Sequence, residues 1–178
     1  MANVTSVTSS AVLDQWIFQC AEGNSHALEQ LYQATSPAVY AYLLSVLKNS
    51  HDAEDALHDT YLKIWSGASG YRSQGKPMAW IFTIGKNLCL KQLNLQSKQA
   101  SSPEDWMVQA PDSAELTQED KWVIQQCMEQ LPDDARQIVV LHVVSGFKHR
   151  EIAKMLDLPL STVLSKYHRS IRKLKALF

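Results

Sequence analysis

The chain has 178 residues, of which 46% are hydrophobic and 20% charged, and its formal net charge is −1. This composition excludes a disordered chain, and the length allows one ordinary core or two small ones. No apolar run reaches the ~18 residues of a membrane span. Residues 1–10 lack the cationic start and apolar stretch of a secretory signal, so we expect a cytoplasmic protein.

Charge is distributed unevenly along the chain. Residues 121–178 carry ten Lys and Arg against five Asp and Glu, whereas residues 100–120 carry six acids and no basic residue. The basic C-terminal module indicates an anionic partner, and the acidic segment over 100–120 indicates a solvated linker. Three widely spaced cysteines are typical of buried thiols in a reducing compartment: Cys20, Cys89 and Cys127.

Apolar residues recur every three or four positions through the N-terminal half, which predicts helices and no convincing strand. A first helix is expected over 11–22. Ser25 suits the cap of a second helix, and Pro37 is expected to restart a third. A further helix is predicted over 52–66, with Asp52 as its N-cap.

The remainder of the pattern predicts a loop, a helix, a linker and a second group of helices. Glycines and a proline mark the loop before a helix from Met78 to Leu95, and residues 97–116 are Ser-, Gln- and acid-rich. Helices resume near Thr117 with breaks at Pro132, Gly146 and Pro159. The sequence therefore predicts an all-α fold with two small helical domains, 11–96 and 117–178, joined by a flexible acidic linker over 97–116.

The C-terminal module predicts a helix-turn-helix that binds DNA. Glu151-Ile152-Ala153 suits its first helix, Leu158-Pro159-Leu160 its turn, and Ser161-Thr162 the start of its second helix. The second helix carries a basic face that could attract phosphates and read bases. On periodicity alone this face could also be the solvated surface of an ordinary bundle. Its candidate residues are Ser161, Thr162, Leu164, Ser165, Lys166, His168, Arg169, Arg172 and Lys173.

Two N-terminal segments offer further surfaces. The helix HDAEDALHDTYLKIW turns acids and a leucine outward, which suits docking onto a basic helical partner, although the spacing alone favours a solvated acidic face. Its candidates are Asp52, Asp55, His58, Asp59 and Leu62. The segment YRSQGKPMAWIFTIGKNLCLKQLN interleaves basic residues and rings, which suits unstacked single-stranded bases, while most of its apolar residues fit a core. Its candidates are Tyr71, Arg72, Lys76, Lys86, Asn87 and Lys91.

In this order, the three segments resemble a bacterial sigma factor of the extracytoplasmic-function (ECF) group of the sigma-70 family. The resemblance runs from about Ser25 to Phe178 through ALEQLYQ, DAEDALHDTYLKIW, YR…AWIFTIGKNL and LPDDARQIVVLHVVSGFKHREIAKMLDLPLSTVLSKYHR. It implies that the acidic helix grips core RNA polymerase, that the 71–94 segment recognises and melts the −10 promoter element, and that the last helix reads the −35 element. It also implies an anti-sigma protein as a partner.

The sequence departs from the family pattern at several positions. His58 stands where Gln is usual, and Leu164 stands where Arg or Lys is common on the recognition helix. A leucine cannot donate to a guanine edge, though it can contact a thymine methyl group. Asp157 replaces a common Gly before the turn. Residues of the −10 segment also differ in charge from the usual ones: Thr83, Lys91 and Asn94.

Two other functions remain open on the sequence. A conventional helix-turn-helix regulator would share the C-terminal half, but it would form dimers and bind DNA without polymerase. A sigma-mimicking inhibitor would bind polymerase without starting transcription. We expect no enzyme, cofactor, metal site or small-molecule substrate, because the six histidines are scattered and no nucleophile is paired with a base.

Overall fold

The computed structural model describes residues 8–96 and 118–176, and all of its regular secondary structure there is helical. The predicted linker over 97–116 lies outside the described residues. A short 3₁₀ helix covers Ala68–Gly70. The α-helices are α1 (Ser10–Ala21), α2 (Ser25–Leu47), α3 (Ser50–Gly67), α4 (Pro77–Gln96), α5 (Gln118–Gln130), α6 (Asp133–Val143), α7 (His149–Leu156) and α8 (Leu160–Lys175).

The prediction that Pro37 restarts a helix is wrong, because α2 runs through it without a break. A proline inside a helix removes one backbone hydrogen bond and ordinarily costs ~3 kcal/mol. Here every residue from 35 to 45 is buried. Packing of this buried segment from several sides therefore outweighs the lost hydrogen bond, since tertiary packing supplies most of the stability of helices in proteins.

The cap of α3 also differs from the prediction. Asn49 is the N-cap, and its side chain accepts a hydrogen bond from the backbone N–H of Asp52 at 2.9 Å. Asp52 therefore lies in the first turn of the helix, where its carboxylate accepts a bond from Gln96 Nε2 at 2.9 Å. Asn and Asp are both good N-caps, so composition alone did not distinguish the two positions.

α4 packs closely against α2 and α3 at Gly85. A Cβ atom at Gly85 would lie 3.2 Å from Leu43 Cδ2, closer than an ordinary van der Waals contact, and 3.5 Å from Thr60 Oγ1. A larger residue at this position would require the Leu43 side chain to shift, so Gly85 helps α4, which carries much of the predicted −10 surface, to lie close to the other two helices.

The two halves of the chain share one continuous core. α2 packs against α5 and α6, and the rings of Phe82 and Phe147 meet edge to face with centroids 5.0 Å apart. Polar contacts join the same surfaces: Arg136 Nη1 donates to the Ser45 carbonyl at 3.3 Å, and Lys48 Nζ lies 2.7 Å from an Asp133 oxygen.

The predicted helix-turn-helix is formed by α7 and α8. Asp157 ends α7 in the left-handed region, with φ 53° and ψ 47°. Its backbone N–H and that of Leu158 both donate to the Ala153 carbonyl. This is the position where helices favour glycine, since a side chain there crowds its own backbone.

Replacing Asp157 with Gly is expected to raise the free energy of unfolding by about 0.5–1 kcal/mol, because Gly adopts this conformation without strain. Asp157→Val should lower it, because branched side chains tolerate the region poorly. Urea unfolding of both variants measures the change. Equal stability of the Gly and Val variants would contradict the assignment of strain.

A stack of rings ties the three helices of the C-terminal half together. The rings of His142 on α6 and His149 on α7 stack with centroids 4.2 Å apart, and Tyr167 on α8 contacts both, at 4.8 and 4.6 Å. His142 Nδ1 donates to the Phe147 carbonyl at 2.8 Å. Burial lowers the pKa of His149, and the nearby His142 and His168 lower it further.

Acid should therefore weaken this fold through His149. Its pKa lies below the unfolded value of about 6.5, so the folded state binds fewer protons and loses stability as the pH falls through that value. His149→Phe keeps an aromatic ring without a titrating nitrogen, and its unfolding free energy should fall less steeply below pH 6.5.

Urea unfolding between pH 7.5 and 5 measures this difference. His58→Gln, which removes an exposed histidine, is the control and should follow the unaltered protein. Parallel curves for His149→Phe and the unaltered protein would show that His149 does not titrate as described.

Candidate protein and nucleic-acid interfaces

The predicted −35 residues lie together along α8, mostly in solvent. Thr162, Leu164 and Lys166 are half-buried, whereas the other six are exposed: Ser161, Ser165, His168, Arg169, Arg172 and Lys173. Arg169 is held along the helix, because Nη2 donates to Ser165 Oγ at 3.0 Å and Nε to the Ser165 carbonyl at 3.3 Å. The buried stripe of the helix includes Val163 and Leu174, so the basic side faces outward.

Two lysines of this surface already have protein partners. Lys166 Nζ is paired with the Asp134 carboxylate at the start of α6, and Lys173 Nζ donates to the Gln130 carbonyl at 2.6 Å. The hydrogen bond from Lys166 is the main cause that lowers the pKa of Asp134. These contacts tie α8 to α5 and α6.

The acidic face of α3 is open to solvent, as the spacing predicts. Asp55, His58 and Asp59 are exposed, and Leu62 between them and the end of the helix is 54% exposed. Ala53, Leu57, Tyr61 and Ile64 are buried on the opposite side. Asp52 differs from the others because it is half-buried and bonded to Gln96 on α4.

The predicted −10 residues divide into three groups. Arg72, Asn87 and Lys91 are exposed. Lys76 and Lys86 face the C-terminal half: Lys76 Nζ lies 3.4 Å from Glu151 Oε1, and Lys86 Nζ donates to the Met155 carbonyl at the end of α7. The helix-turn-helix therefore covers part of this surface.

Tyr71 forms the third group, because its ring is buried and not at the surface. It is 5% exposed and packs against Trp80 at 4.6 Å and Phe18 at 5.7 Å. Its hydroxyl donates to Asp14 of α1, and Ser73 Oγ donates to the same carboxylate at 2.7 Å. Sequence reasoning missed Asp14, since no spacing rule links residues almost sixty positions apart.

The described ranges contain no cluster of three or more His, Cys, Asp or Glu side chains placed to hold a metal ion. Within those ranges, no helix has the length and apolarity needed to cross a membrane. The three cysteines are free and buried, and burial raises the pKa of Cys89 and Cys127 to about 12.

Two family models match the chain, in the order expected from the sequence. Sigma-70 region 2 matches residues 31–99, and Sigma-70, region 4 matches residues 121–174. The first match contains the acidic face of α3 and the segment that leads into α4. The second contains α7 and α8.

Curated relatives align over almost the whole chain. The ECF RNA polymerase sigma factor SigK of Mycobacterium sp. (strain KMS) is 29% identical over 92% of this chain and 89% of its own length. The ECF RNA polymerase sigma factor SigM of Bacillus subtilis (strain 168) is 26% identical over 85% of this chain and 94% of its own length.

Solved structures share the fold. The sigma factor RpoE of Bartonella quintana, in complex with the anti-sigma factor NepR, superposes with a TM-score of 0.65 at 22% identity and covers 84% of this chain and 94% of its own. CnrH, in complex with the cytosolic domain of CnrY, gives 0.62 at 21% identity and covers 93% of this chain and 96% of its own. The chain belongs to the sigma-70 family, within its ECF group.

Proposed function

We propose that this chain is an alternative sigma factor that brings core RNA polymerase to promoters and starts transcription there. The observation that carries the proposal is the presence of sigma-70 regions 2 and 4 in order on one chain. The acidic and basic surfaces of the two regions support it, because each is exposed on its own helix. In this role the chain supplies binding energy and no chemical step of its own.

Core polymerase would dock on the exposed face of α3. Asp55, His58 and Asp59 would meet basic groups, and Leu62 would supply an apolar contact in the middle of the patch. Asp52 has a smaller part in this proposal, because its carboxylate is engaged by Gln96.

Reversing two charges on this face should break polymerase binding. Asp55→Lys with Asp59→Lys is expected to weaken the affinity for sigma-free core polymerase by at least ~10-fold, because attraction becomes repulsion at the interface. The matched control is Glu22→Lys with Glu29→Lys, which makes the same charge change at an exposed position just after α1 and at another on α2. Both affinities are measured by fluorescence anisotropy of labelled protein at one salt concentration.

If the α3 variant bound core as tightly as the control, this face would not be the docking surface. The −35 and −10 assignments rest on other residues and would be unaffected by that result.

α8 would lie in the major groove at the −35 element. Ser165 holds the guanidinium of Arg169 along the helix, so Arg169 would lose less side-chain conformational entropy when it binds DNA. Leu164 would contact a thymine methyl group and not a guanine edge. The engaged lysines, Lys166 and Lys173, would exchange their protein partners for phosphates or remain as supports of the helix.

Arg169→Ala should weaken binding of the holoenzyme to duplex −35 DNA by about 1–3 kcal/mol. Lys63→Ala removes the same charge from an exposed position on α3 and is expected to have little effect. Filter binding at matched salt measures both, on promoter DNA mapped with the unaltered protein. Equal affinities for the two variants would remove Arg169 from the −35 surface.

The −10 element would bind along the loop before α4 and the exposed side of α4. Arg72, Asn87 and Lys91 are already open to solvent. Lys76 and Lys86 would bind DNA in competition with Glu151 and the Met155 carbonyl, which engage their ammonium groups in this structure. Tyr71 would act from the core, by holding the loop, and not by stacking on a base.

An anti-sigma protein is a further proposed partner. Two solved structures that share the fold of this chain contain a bound protein. The sigma factor RpoE is bound to the anti-sigma factor NepR, and CnrH is bound to the cytosolic domain of CnrY. A protein that covered the α3 face and α8 together would prevent docking and promoter reading at once.

A further inference from the structure

The loop over residues 71–76 is anchored by one carboxylate from a different part of the chain. Tyr71, at the start of the loop, donates its hydroxyl hydrogen to Asp14 Oδ1. Ser73, two residues on, donates to Asp14 Oδ2 at 2.7 Å. Both oxygens of Asp14 are therefore used to hold the same loop.

Surrounding contacts make this anchor stiff. Tyr71 is 5% exposed and packs between Phe18 of α1 and Trp80 of α4. Burial and the bond to Asp14 raise the pKa of the Tyr71 hydroxyl, so the phenol stays protonated and remains the donor. Beyond the anchor the chain turns outward, and residues 72–76 are exposed.

α1 lies outside the part of the chain that the region 2 model matches, which begins at residue 31. Asp14 is half-buried on α1, and the described contacts of its side chain are the two loop hydroxyls. A carboxylate that accepts two hydroxyl bonds needs no further partner to be satisfied, which suits a fixed support.

We propose that Asp14 is a positioning residue for promoter melting, which holds the 71–76 loop in the shape that accepts an unstacked base of the −10 strand. The proposal rests on the proposed −10 role of this loop. A loop that is already ordered loses less conformational entropy when it binds. The hydrogen bonds from Tyr71 and Ser73 to Asp14 therefore raise the affinity of the loop for the open strand.

The test uses holoenzyme assembled from core polymerase and the full chain. Its probe is a forked duplex that carries the −10 element of a promoter mapped with the unaltered protein. Asp14→Ala is expected to weaken fork binding about tenfold or more, because the released loop must then be ordered when it binds the strand. Its affinities for core polymerase and for −35 duplex should stay unchanged.

Asp14→Asn separates positioning from a general effect on the fold. The amide oxygen can still accept from Tyr71, and the amide nitrogen can donate to the Ser73 hydroxyl, so Asn should restore most of the fork binding. Tyr71→Phe with Ser73→Ala should reproduce the loss in Asp14→Ala, and adding Asp14→Ala to that pair should cause no further loss. Glu29→Ala removes an exposed acid from α2 and should bind the fork normally.

Three results would overturn the inference. Asp14→Ala could bind the fork normally while Arg72→Ala and Lys76→Ala weaken it; the loop would then bind the strand without needing Asp14. Asp14→Ala and Asp14→Asn could lose fork, core and −35 binding equally, which would make Asp14 a residue of general stability. If the Arg72, Lys76 and Asp14 variants all bound normally, the proposed −10 role of the loop would fail as well.

Discussion

The burial of the middle of α2 holds the two halves of the chain together. Helices α1, α3, α4, α5 and α6 all pack against α2. Two of its buried hydroxyls bond within the helix, since Thr35 Oγ1 donates to the Leu31 carbonyl and Ser45 Oγ to the Tyr42 carbonyl, each at 2.6 Å. The buried hydroxyls of Ser36, Tyr40 and Tyr42 have no hydrogen-bond partner among the described residues. The guanidinium of Arg136 reaches the Ser45 carbonyl from the other half of the chain. One helix thereby joins both sigma-70 regions into a single core, and it continues through Pro37 because it is packed from so many directions.

This shared core decides which functional surfaces are free. The acidic face of α3 points away from the junction and is exposed. Part of the proposed −10 surface lies at the junction, where Lys86 bonds to the end of α7 and Lys76 pairs with Glu151. A polymerase could therefore meet α3 in this arrangement, whereas DNA that reached Lys76 and Lys86 would compete with α7 for them. The proposed polymerase surface and the proposed −10 surface both lie in region 2, but they differ in accessibility because only the −10 surface lies partly against α7.

Sequence patterns predicted the features that depend on local periodicity and on residues that end helices. The helix-turn-helix, the breaks at Pro132 and Pro159, and the outward acids of α3 follow from spacing of three and four residues, and the structure shows them. Features that depend on tertiary contacts could not be predicted in this way. Pro37 was misjudged because local propensity contains no information about burial, and the ring of Tyr71 was expected at the surface because its partner Asp14 lies far away in sequence.

Transcription in a purified system would show whether this chain acts as a sigma factor. The protein would be added to sigma-free core polymerase with sheared genomic DNA from its source, and the 5′ ends of the new RNA would be mapped. A sigma factor should give discrete starts that share two spaced upstream elements, and none should appear when the protein is omitted. Co-elution with core polymerase without any new starts would contradict the sigma-factor function and favour a polymerase inhibitor. The absence of both new starts and co-elution would contradict it as well and would favour a conventional DNA-binding regulator.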